Sequence, residues 1–146
     1  MTTTTHVPAL EHTVHTTNAW LGEVAAELDS DERQYAYRAL RALLHALRDR
    51  LTIDETAQLA AQLPDLLRGV YYEGWNPSAT PTRSHTAEQF LDRVAAEGDF
   101  HGHTEASFAA AAAMTVLRRH VSRGELDDVA AILPREIRDL LFPGRP

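Results

Sequence analysis

Residues 60–64 read Ala60-Ala61-Gln62-Leu63-Pro64, and residues 130–134 read Ala130-Ala131-Ile132-Leu133-Pro134. The two stretches are one motif in two places, and the match runs outward from both without a gap. Trp20-Leu21 falls on Phe90-Leu91, Val24-Ala25-Ala26-Glu27 on Val94-Ala95-Ala96-Glu97, and Leu47-Arg48 on Leu117-Arg118. Further along, Arg68 meets Arg138 and Gly74 meets Gly144. Roughly 19 of about 61 aligned pairs are identical. Alanine richness inflates that figure, but the Trp/Phe, Leu-Pro and Arg matches do not depend on it. A repeat of this length marks a duplicated supersecondary unit.

Each copy reads as four helices, so the fold class expected is all-α: eight helices in two tandem four-helix units. A unit of about 60 residues is marginal alone, which predicts that the units pack on each other about an approximate twofold axis and share a core. The boundaries read as a flexible Thr/His-rich tail over 1–15, repeat one over 16–75, a Pro-containing linker over 76–85 and repeat two over 86–146. The first helix carries Trp20, Leu21, Val24 and Leu28 on one face, and Leu10 and Val14 extend the same period toward the N-terminus. The second opens after Ser30, a residue able to cap it, and runs to about Leu51. Leu40, Leu43, Leu44, Leu47 and Leu51 fall within one arc of roughly 100°, with Ala39, Ala42 and Ala46 alongside. A leucine face beside an alanine face predicts a central helix with two neighbours. Thr52-Ile53-Asp54-Glu55 and Ser122-Arg123-Gly124-Glu125 are matching start signals of the capping-box type, and Thr86-Ala87-Glu88-Gln89 is a third. Pro64 and Pro134 divide the third helix of each unit from the fourth, either as terminators or as the first residue of the next helix. Gly74 suits a terminator.

Composition narrows the chemistry. The chain has 146 residues, is 44% hydrophobic and carries a formal charge of -7. Nucleic acid repels such a chain unless its cations segregate onto one face, so nucleic-acid binding is not expected. All 14 basic residues are Arg, which a GC-rich coding sequence explains, and the lack of Lys removes Schiff-base chemistry. With no Cys there are no disulfides, thiol nucleophiles or Cys-zinc sites. No apolar run approaches the ~20 residues that span a bilayer, and the Thr-rich start lacks the pattern of a signal peptide. The expected compartment is the cytoplasm, and no membrane partner is expected.

The run ALRALLHALRDRLTIDETAQLAAQLPDLLRGVYYEGW (Ala39–Trp75) closely resembles the bacterial family called domain of unknown function 2267. The similarity rests on LRALLHALRDRL, AQLP and RGVYYEGW, and extends from about Glu11 through the second copy. Copy two departs where Tyr71-Tyr72-Glu73-Gly74-Trp75 becomes Leu141-Phe142-Pro143-Gly144-Arg145. The resemblance implies a helical fold and a bacterial origin, and brings no activity with it.

Residues kept in both copies point to structure, and residues confined to one copy are freer to serve function. Tyr71, Tyr72, Glu73 and Trp75 belong to copy one only and form a candidate binding surface of aromatic rings with polar tips. The plainer alternative is that these rings close the core and anchor the linker. Arg38, Arg41, His45 and Arg48 lie within about 80° on the second helix, a candidate anion patch; the alternative is a face paired with neighbouring acids. Arg48 and Arg68 recur as Arg118 and Arg138, and with Pro64 and Pro134 are read as structural. Asp99, His101 and His103, with His120 as an addition, have the donor types of a metal site. Nothing fixes their geometry, the Glu-x-x-His pattern of bundle metal sites is missing, and solvated loop histidines are the simpler reading, as for His6, His12 and His15.

No nucleophile elbow, Gly-rich phosphate loop or HExxH occurs. The reading leans away from an enzyme, and no cofactor is expected. Two function classes remain: a non-catalytic interaction or regulatory module, homodimeric or bound to a protein partner, and a sensor holding a small, anionic metabolite between the repeats.

Overall fold

The computed structural model describes residues 6–144, in which eight α-helices, one short 3-10 turn and no strand occur. Helices α1 (Pro8–Glu27), α2 (Arg33–Arg48), α3 (Ile53–Ala60) and α4 (Asp65–Tyr72) come from the first copy. Helices α5 (Ala87–Gly98), α6 (Gly102–His120), α7 (Arg123–Ile132) and α8 (Arg135–Leu141) come from the second. The turn Pro77–Ala79 lies in the segment between them.

α2 is central, as its two apolar faces predict. Leu40, Leu43, Leu44 and Leu47 are fully buried, as are Ala36, Ala39 and Ala42. This helix packs on α1, α4, α5 and α6. Complete burial of a leucine stabilises by about 1.5–3 kcal/mol, and the alanines let neighbouring helices approach closely. α6 has a similar small-residue strip, with Ala106, Ala109, Ala110 and Ala113 buried beside Met114 and Leu117. One hydrophobic cluster runs through both copies.

Several helix contacts recur between the two halves of the chain. α1 packs on α4 as α5 does on α8; α2 packs on α4 as α6 does on α8; α1 meets α6 while α5 meets α2; and α3 meets α7. Pro64 and Pro134 share φ -55° and ψ 148° and precede α4 and α8 as N-cap residues. Proline lacks an N–H and its side chain cannot cap, so the first turn of α4 borrows from elsewhere: the Leu66 N–H donates to Thr13 Oγ1 of α1 at 2.9 Å.

Three local expectations need correction. α1 begins at Pro8, inside the stretch read as a tail; Pro suits a first helical turn, and buried Thr13 and Thr17 tie the segment down. Ser30 does not cap α2. Its Oγ accepts from the Glu32 N–H, and the helix starts at Arg33. α2 also stops at Arg48 rather than Leu51. The capping box at Thr86 is complete, with Gln89 N–H donating to Thr86 Oγ1 and Thr86 N–H donating back to Gln89 Oε1. Gly74 follows α4 at φ 74°, a left-handed conformation that glycine adopts without strain. No helix among the described residues is long and apolar enough to cross a membrane.

Candidate functional site

The cations of α2 are engaged by the chain itself. Arg48 is 2% exposed. Its guanidinium donates to the Tyr71 carbonyl and, at 2.6 Å, to the Glu73 carbonyl, and Nε donates to Asp49. It thereby satisfies carbonyls at the C-terminal end of α4, where a cation also suits the helix dipole. Arg118 does the same for α8, donating to the Leu141 carbonyl. Arg68 donates to the Ala60 and Leu63 carbonyls, and Arg138 lies half-buried on α8. Arg38 donates to the Gly98 carbonyl and lies over the rings of Tyr35 and Phe100.

Arg41 and His45 join a network between the copies. Arg41 pairs with Glu73 and with Glu97 of α5, the latter at 3.2 Å. His45 sets Nδ1 3.3 Å from Glu97 Oε2 and Nε2 2.7 Å from the Val70 carbonyl. A carbonyl only accepts, so Nε2 carries a hydrogen. Arg93 links Glu97 to Asp49. Burial pushes the Glu97 carboxyl upward, but the His45 bond and the charges of Arg93, His45 and Arg41 outweigh it and leave it below the usual carboxylate value. Arg41 and His45 therefore join α2 both to α5 and to the end of α4.

The aromatic group divides. Tyr71 is fully buried and donates its hydroxyl to the Thr56 carbonyl; burial pushes its phenol well up. Tyr72 and Trp75 are half-buried rings 5.5 Å apart, and the Trp75 indole donates to Thr80 Oγ1 in the linker. Glu73 is exposed and paired with Arg41.

The suggested metal ligands are not brought together. His103 pairs instead with Asp92 of α5, and Glu88, Asp92 and His103 have donor atoms within 4.8 Å on an exposed face. His120 stacks on Trp20, with centroids 4.3 Å apart, and pairs with Glu23. That stack stands in an open groove of about 430 Å³ formed by His12, Thr16, Gln62 and Asp65 among others. Its walls come from α1 and the corner between α3 and α4, and His120 is the contribution of the second copy.

A family model described as "Uncharacterized conserved protein (DUF2267)" matches residues 17–140. The chain belongs to the DUF2267 family. Comparison with curated proteins gives no match. The family match runs from the middle of α1 to the last turn of α8 and leaves the first half of α1 outside it.

That outlying half carries residues of this DUF2267 chain that the candidate sites did not include. Val7, Leu10 and Val14 are 50%, 63% and 45% exposed, while Leu21, on the same face further along, is 8% exposed. An apolar column is covered at one end and bare at the other. Its signal was present in the sequence as the period joining Leu10, Val14 and Leu21, but a period cannot tell a covered face from a bare one.

Proposed function

We propose that this chain is a non-catalytic interaction module of the bacterial cytoplasm, and that it pairs with a second copy of itself along the bare face of α1. The observation that carries the reading is the column of Val7, Leu10 and Val14, which continues a core-facing stripe beyond the partners that cover it. With Thr17 and Leu21 it has the alternating spacing of three and four residues that suits a helix–helix seam. A twofold pairing of identical seams satisfies both copies at once. Charge favours the same occupant. Residues 6–18 hold one formal charge, Glu11, in a chain of -7, so two copies repel little along this face. The anchoring of α1 to α4 through Thr13 keeps the seam rigid.

Within the chain, the two copies are proposed to be related by an approximate twofold axis passing between α2 and α6 and between α3 and α7, the pairs in which a helix packs on its own counterpart. The exchange of contacts between the halves supports it.

Sedimentation equilibrium tests the pairing. The intact protein is expected to fit a dimer, and Leu10→Asp/Val14→Asp a monomer with unchanged helical content. A monomeric parent protein overturns the reading.

One observation favours a second reading, a small-ligand sensor. The groove at Trp20 and His120 has a volume in the range of small-molecule pockets and sets His120 of the second copy against residues of the first. A metabolite bound there would shift Trp20 fluorescence and raise the melting temperature.

A further inference from the structure

Helices α3 and α7 pack on one another and begin alike. Thr52 Oγ1 accepts from the Glu55 N–H at 3.1 Å, and Ser122 Oγ accepts from the Glu125 N–H at 3.2 Å. In a complete capping box the third-position side chain returns a bond to the cap residue, as Gln89 does to Thr86. Glu55 and Glu125 do not. They are 6% and 8% exposed, and each holds Oε2 buried with no hydrogen-bond partner among the described residues. Asp128, exposed and one turn on from Glu125, adds a third carboxylate, and donor oxygens of the three lie within 4.8 Å of one another. Two buried glutamates that forgo an available local bond to face each other, with an acid beside them, raise the free energy of the fold unless a cation stands between them or a proton is held there. Burial and the neighbouring Glu55 push the Glu125 carboxyl up to about 8.

We propose that Glu55, Glu125 and Asp128 form a binding site for a hard divalent cation, Ca²⁺, Mg²⁺ or Mn²⁺, that clamps α3 of the first copy to α7 of the second. An all-carboxylate donor set selects such ions over softer metals, which favour imidazole and thiolate. The buried Oε2 atoms supply fixed ligands. Asp128 stands at the solvent mouth, where water completes the coordination. The site lies away from α1 and does not depend on the proposed pairing.

The test uses the full chain, stripped with a chelator and melted at neutral pH in millimolar CaCl₂, MgCl₂ or MnCl₂, with KCl of equal ionic strength as control. At least one divalent salt is expected to raise Tm saturably by about 5 °C, with no response to KCl. Glu55→Gln/Glu125→Gln should melt no lower than the stripped parent and lose the response. If that variant fails to fold, Asp128→Asn, a surface change, should weaken Mn²⁺ binding at least tenfold by titration. Absence of a divalent-specific shift in the parent means that protons alone hold the pair and overturns the site. So does a shift that survives in the double variant, or Mn²⁺ affinity unchanged in Asp128→Asn.

Discussion

Arg48 illustrates how one side chain can serve a helix it does not belong to. Its guanidinium closes the C-terminal end of α4 from within α2. Arg48→Met would leave two carbonyls without a donor in a buried place, with an expected cost of about 2–4 kcal/mol in urea unfolding. Arg118→Met should cost less, because Arg118 is only half-buried. Glu97 gives the pH dependence. Its carboxyl is held below the usual value, so its contribution is present above the ordinary carboxylate pKa of about 4 and lost as pH falls through the lowered one. Glu97→Gln is therefore expected to flatten the acid limb of a stability–pH curve while leaving its shape above neutrality unchanged; an acid limb as steep as the parent's would contradict this. At this scale the sequence was only partly legible. The recurrence of Arg48 as Arg118 marked both as structural. The spacing of Arg38, Arg41 and His45 revealed one face of α2, yet not that α5 would cover it.

Among the elements, α2 and α1 show what periodicity can and cannot convey. The leucine and alanine faces of α2 identify a central helix because every neighbour must cover some apolar position. Leu43→Ala should accordingly cost about 2–5 kcal/mol. The joint between α5 and α6 is as constrained. A Cβ placed on Gly98 collides with the Phe100 ring, which Tyr35 and Arg38 hold in place. Gly98→Ala is expected to destabilise by about 1–3 kcal/mol in urea titration, and wild-type stability would show that the ring yields. Helix ends were harder to read than helix faces. Ser30 had the chemistry of a cap, but Asp29 takes a left-handed conformation and the chain makes another turn before α2 starts. At the other end, proline and a Thr-rich composition masked a helical start that tertiary contacts secure.

For the whole molecule, the all-helical architecture was the most legible feature, since apolar periods, capping residues and prolines mark helix after helix along the chain. Function was least legible, because the sequence spells out no known catalytic motif and the bare seam of α1 is visible only once its neighbours are placed. The shared core makes a cooperative prediction. Both tryptophans, Trp20 and Trp75, lie in the first copy, whereas far-UV circular dichroism reports every helix. The two urea transitions are expected to coincide, and an earlier fluorescence transition would mean that the copies fold separately. The most direct test of the proposed function is native mass spectrometry of untagged protein purified from its own host. The account predicts a mass of two 16.2 kDa chains, reverting to one in Leu10→Asp/Val14→Asp. A single chain, bare or carrying a metabolite, would contradict it, and the metabolite-bound form would point instead to the groove at Trp20 and His120.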